Sequence, residues 1–266
     1  MTGNLVGLDR EVRTSNLALG LRRAAPGALV QRLVDVLAPT FLVLGLASCV
    51  VAFLAAPHSY LAWDRSVLNT AATRLPATPY PEFQLTGPFT AMGVGNWTPT
   101  VLYPPPAMLL FLPFAYLPVV AWYAVPLGII AWFVYAARPS SWAVALIGLC
   151  LFNTWTWTTL VWGNATMFTA AAVALAFRWP AFGPVVLLKP TFGPFTVVGI
   201  RTRAWWIGAA VLGIVSLVML PYWGDYLTTV RNVTNNGITF SLYQFPFVAI
   251  PVIAWLGRRG TDSVTS

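Results

Sequence analysis

Long apolar runs, most of them closed by one or two arginines, dominate this chain and leave few folds open to it. They occupy 37–56, 119–137, 142–157, 165–177, 205–221 and 242–256, and their borders carry Arg138, Arg178, Arg201, Arg203, Arg258 and Arg259. An α-helix needs about 20 apolar residues to cross the hydrocarbon layer of a bilayer. Only 8% of the 266 residues are charged, against about 25% in a soluble domain. The chain lacks the polar side chains to cover a water-facing surface. A soluble enzyme, a disordered tail and a nucleic-acid-binding domain are therefore excluded. The net charge of +8 would suit nucleic acid if the cations formed one patch. Here they stand singly or in pairs between apolar blocks, and no nucleic acid partner is expected. The reading is an all-α, polytopic integral protein of the plasma membrane.

The arginines also set an expected topology. Residues 1–36 form a basic arm, 37–257 the membrane domain with a long outer loop at 57–102, and 258–266 a tail. The segments 17–23 and 29–37 suit an amphipathic helix on the inner leaflet. The stretch 103–118 is bracketed by prolines and lies at the membrane face or crosses it. Residues 180–200 are interrupted by Pro184, Lys189, Pro190 and Pro194. Each half is too short to cross, so a re-entrant or broken hairpin is expected. Cytoplasmic loops are enriched in Arg and Lys. Six full spans with two partial elements place eleven of the fifteen basic residues on the cytoplasmic side. The expected total is about six to eight transmembrane helices.

Few residues are left to carry chemistry. His58 is the single histidine, and Cys49 and Cys150 sit inside apolar runs as small hydrophobes. No metal site and no cofactor are expected. The outer face holds three carboxylates, Asp64, Glu82 and Asp225. Asp64 stands at a membrane border beside Trp63 and ahead of a helical pattern. A carboxylate there can serve as a general base or anchor a sugar hydroxyl. It can equally be an N-cap, which the local sequence favours. Lys189 lies at membrane depth, where an ionisable group is costly and marks function by default; snorkelling of its stem to an interface is the alternative. Arg65 and Arg74 are further phosphate partners or solvated loop charges. Trp97, Trp155, Trp157 and Trp162 can stack on sugars or form an interfacial aromatic belt.

Five landmarks occur in order: Asp64; Ala71-Ala72-Thr73-Arg74-Leu75-Pro76; Tyr103-Pro104-Pro105; Gly163-Asn164; and Leu188-Lys189-Pro190. This series resembles glycosyltransferase family 87, the polyprenyl-phosphate-mannose-dependent mannosyltransferases, over residues from about 60 to 222. Two departures stand out. No glutamine follows Gly163, and the chain is short for the family.

The resemblance implies a GT-C fold and metal-independent, inverting transfer of a hexose, expected to be mannose. The donor would be a polyprenyl-phosphate sugar and the acceptor a lipid- or protein-linked glycan at the extracytoplasmic face. It assigns Asp64 as the base. The chemistry then asks for a cation to receive the lipid phosphate: Lys189, with Arg74 and Arg65 as alternatives. Tyr103, Asn164 and Trp162 are the expected substrate contacts. A polyprenyl-linked sugar transporter or flippase, or a non-catalytic membrane partner, would share the groove without needing the base.

Overall fold

The computed structural model describes residues 26–90, 100–234 and 242–259. Arg10, Arg13, Arg22, Arg23, Asn96 and Trp97 lie outside the described residues. The chain is mostly helical. The helices are α1 (Pro26–Ala55), α2 (Trp63–Thr73), α3 (Glu82–Thr86), α4 (Pro105–Tyr116), α5 (Val119–Ala137) and α6 (Ser141–Leu151). They continue with α7 (Thr154–Val161), α8 (Thr166–Arg178), α9 (Arg203–Val218), α10 (Trp223–Asn232) and α11 (Phe245–Leu256). Two 3-10 segments, Pro180–Leu188 and Pro190–Val197, lie between α8 and α9. Two short strands, β1 (Phe89–Thr90) and β2 (Val233–Thr234), pair in parallel, Phe89 opposite Val233.

Two helices are long and apolar enough to cross a membrane, Ala28–Ala55 within α1, and α5. Two bent pairs raise the number to four if each is one span: α6 with α7, bent by 63°, and Leu220–Asn232 against α9, bent by 70°. The apolar helices α4 and α8, and Leu242–Leu256, are shorter.

Several sequence expectations shift. The first apolar run, 37–56, lies within a longer helix, since α1 begins at Pro26 and runs unbroken through Pro39. The run 142–157 is not one helix. Asn153 accepts a hydrogen bond from the Trp155 N–H at 2.9 Å and starts a new helix in a new direction, the usual work of an N-cap asparagine. Between the apolar runs 205–221 and 242–256 the chain holds α10, which buries Tyr226 and Thr229. The hairpin at 180–200 breaks at Lys189, as read from the sequence. Its prolines at 180, 184, 190 and 194 withhold four backbone N–H groups, so short 3-10 turns replace a continuous helix.

The helices share an aromatic core. Trp122 is fully buried, and its ring lies 4.7 Å from Phe168, 5.4 Å from Phe111 and 5.5 Å from Phe114, centroid to centroid. Each such pair contributes about 0.5–1.5 kcal/mol beyond the area it buries. Large apolar side chains on α1 and α9 instead point outward, among them Leu54, Leu29, Val218 and Leu217. That pattern suits lipid. Asp35, Ser141 and Arg259 gather at one end, beside the Pro139–Arg258 bridge. Elsewhere α3 packs on α10, and β1 pairs with β2 beside them. Tyr222 donates to the Pro76 carbonyl at 2.7 Å and Asn232 to that of Gln84 at 2.9 Å.

α1 and α6 cross at glycines. A Cβ on Gly148 would lie 2.4 Å from the Phe41 carbonyl carbon and 2.5 Å from its oxygen. Such close backbone approach is how helices pack in lipid. Gly148→Ala should therefore lower stability by about 1–3 kcal/mol, read as a drop in thermal midpoint of the detergent-solubilised chain. Gly128→Ala, where a Cβ meets nothing within 4 Å, serves as the control. Equal midpoints for the two variants would contradict the close crossing.

Candidate active site

The site begins with a glycine. Gly163 has φ +62°, and a Cβ there would lie 3.0 Å from Ala62 Cα and 3.1 Å from the polar atoms of both Trp122 and Tyr123. Only glycine fits this left-handed, crowded position at low cost. The Gly163 carbonyl accepts from Trp122 Nε1 at 2.7 Å. The turn delivers Asn164 to the start of α8.

A second left-handed residue, Ala62 at φ 57°, delivers Asp64. The Ala62 N–H donates to the Val161 carbonyl at 3.0 Å and the Asp64 N–H to that of Trp162 at 2.9 Å. The start of α2 is thus docked on the end of α7. Asp64 is not the N-cap that its local sequence favours. Ala62 holds the capping position without a side-chain bond, and Asp64 lies in the first turn. Its carboxylate accepts from Asn164 Nδ2. Burial raises the Asp64 pKa above the ordinary carboxylate range, opposed by the Lys189 charge and the Asn164 bond.

Asn164 links this acid to a buried cation. Its Oδ1 accepts from Lys189 Nζ at 2.9 Å and from the Thr166 N–H at 2.9 Å. Lys189 also donates to Gln244 Oε1 at 2.8 Å and to the Thr166 hydroxyl. An ammonium has three protons, and Lys189 has three protein acceptors for them. It is 5% exposed, so its amine is held in place by these protein partners. The Tyr103 ring centroid lies 5.6 Å from Nζ and that of Phe192 5.8 Å. The Tyr103 carbonyl is held by the Tyr80 hydroxyl at 2.8 Å.

Helix ends add to the field. Thr166 is the first residue of α8, Gln244 directly precedes α11, and Asp64 is in the first turn of α2. Three helix N-termini thus meet here, each carrying partial positive charge. With Lys189 they make a region that favours an anion, beside a partly exposed carboxylate.

The structure brings Asp64, Asn164, Lys189 and Tyr103 together. Trp162 contributes its carbonyl, under the Asp64 N–H. The two arginines lie elsewhere. Arg65 Nη2 donates to the carbonyls of Phe114 at 3.2 Å and Leu117 at 2.7 Å, tying α2 to the end of α4. Arg74 ends α2 and borders a separate cleft. Sequence reasoning missed Thr166 and Gln244. Both are polar residues directly before or at the start of apolar helices, which is the signal that could have marked them. No family model matches the chain, and neither a curated protein nor a solved structure is significantly similar to it.

Gly163→Ala should cost about 1–2 kcal/mol from the left-handed backbone alone, with crowding against Ala62 in addition. Thermal unfolding in detergent measures this, and a variant as stable as the parent would refute the turn as described.

Proposed function

We propose that this chain is a GT-C-like membrane glycosyltransferase of about six to eight spans, acting at the extracytoplasmic face of the plasma membrane. It transfers a hexose, taken as mannose, from a polyprenyl-phosphate donor to a lipid- or protein-linked acceptor. The observation that carries this reading is the Asp64–Asn164–Lys189 chain at three helix N-termini: a partly exposed base beside a fixed positive region. The ordered series of landmarks resembling family 87 supports it, since four of those landmarks contribute to this one cluster.

In the proposed reaction the acceptor hydroxyl oxygen attacks the anomeric carbon, and its proton passes to the Asp64 carboxylate. The bond between that carbon and the phosphate oxygen breaks, and its electron pair leaves on the lipid phosphate. Attack opposite the leaving group inverts the anomeric centre. Lys189 stabilises the departing phosphate through its field, since its protons are engaged by the protein. At about 6 Å and an effective dielectric of about 20, a unit charge supplies about 3 kcal/mol. The three helix N-termini add partial positive charge to the same region. Asn164 keeps acid and cation at a set separation by bonding one with its amide nitrogen and the other with its oxygen.

Purified chain in nanodiscs, given labelled polyprenyl-phosphate mannose and membrane glycolipid acceptors, should release polyprenyl phosphate and label the acceptor. Asp64→Asn should reduce transfer by about 10²–10⁴-fold, the range for loss of a general base. Movement of the intact donor across the bilayer that persists in the Asp64→Asn variant, with no sugar transferred by the parent chain, would replace this reading with a transporter. The base works ionised, so kcat/KM should fall as the pH drops through a pKa raised above the ordinary carboxylate range. An acid limb at the pKa of an unperturbed aspartate would remove Asp64 from the base role.

A further inference from the structure

A cleft of about 280 Å³ runs along the opposite part of α2 from the Asp64–Asn164 bond. Ser66, Thr70 and Arg74 line one wall at i, i+4 and i+8, so they share a face of the helix. Pro81, Phe83 and Val101 face them. The apolar wall is fixed rather than loose. Buried Gln84 bonds Val101 from both sides: its Nε2 donates to the Val101 carbonyl at 3.3 Å, and its Oε1 accepts from the Val101 N–H at 3.0 Å. Two residues further on, Tyr103 packs over Lys189. The chain segment that forms this wall therefore leads, two residues later, into the candidate active site.

The polar wall has a defined chemistry. Ser66 donates its proton to the Trp63 carbonyl at 2.7 Å and Thr70 to that of Ser66 at 2.8 Å. Both hydroxyl oxygens are left with lone pairs, on exposed residues that border the cleft. They are acceptors for a ligand's hydroxyl protons. Arg74 is exposed, and its guanidinium has no side-chain hydrogen bond or ion pair among the described residues. A guanidinium fork matches phosphate or carboxylate. Along the helix Asp64 and Arg74 are about 15 Å apart at 1.5 Å per residue.

We propose that this cleft binds a polyol carrying one anionic group, with the anion on Arg74, the hydroxyls on Thr70 and Ser66, and the ring face against Phe83 and Pro81. That it is the acceptor's subsite, presenting a far hydroxyl toward Asp64, rests on the transferase reading; that it binds such a ligand does not. The ligand chemistry is shared by a soluble sugar phosphate and a lipid headgroup.

Calorimetric titration of the full chain in phosphatidylcholine nanodiscs tests this with glucose 6-phosphate, glucose and inorganic phosphate as probes. Glucose 6-phosphate should bind at least tenfold tighter than either of the other two. Arg74→Gln should weaken it at least tenfold and remove its dependence on ionic strength, while Arg74→Lys keeps that dependence. Thr70→Val should weaken glucose 6-phosphate several-fold and leave inorganic phosphate unchanged. In nanodiscs that also contain phosphatidylglycerol, competition identifies a headgroup as the source, and unchanged binding identifies a soluble ligand; both support the cleft. Binding equal in the parent and the Arg74→Gln chain, or no tighter for the sugar phosphate than for phosphate alone, overturns it. Asp64→Asn should retain the binding, so a failed cleft and a failed transferase give different results.

Discussion

One buried ammonium organises this molecule. Lys189 lies among apolar helices, where an unpaired charge is far too costly to persist. Its position is sustained by three acceptors drawn from distant parts of the chain: Asn164 before α8, Thr166 at its start, and Gln244 before α11. Asn164 then recruits Asp64 and with it α2. The same demand for satisfaction places three helix beginnings in one spot. Replacing a buried ion pair by apolar groups is often neutral, whereas removing one partner is strongly destabilising. The cluster is thus an all-or-none arrangement, in which each member depends on the others.

The route by which these residues meet depends on two local backbone features. Gly163 and Ala62 both take left-handed conformations, and their segments lie against each other. For alanine that conformation costs about 1–2 kcal/mol. It is maintained by the docking of the Ala62 and Asp64 N–H groups on the end of α7. Local strain beside Asp64 is in keeping with a site whose geometry is set by its surroundings rather than by local preference.

How much of this was legible in the sequence follows from what each signal measures. Apolar runs and proline punctuation report local energetics, so the helical class, the break at Lys189 and the helices at 105–116 and 119–137 could be read directly. The order of Asp64, Gly163-Asn164 and Lys189 pointed to residues that do gather. Lengths were less legible. Asn153 looks like any polar residue in an aromatic run, yet its capping bond ends one helix axis and starts another. The fate of Arg65 and Arg74 was hidden for a different reason. A cation's partner is set by tertiary approach, and carbonyls at the end of α4 leave no trace in the residues around Arg65. Thr166 and Gln244 were overlooked because neutral side chains become significant only once a charge is seen between them.

The short helices have a consequence for what surrounds them. With 12 residues in α4, 13 in α8 and 12 in α11, each rises only about 18–20 Å, against a hydrocarbon thickness of about 30 Å. Most of α8 and much of α11 are buried among the other helices, so protein, more than lipid, surrounds these short elements. Since α8 and α11 both begin at the Lys189 cluster, their shortness brings polar groups to those ends.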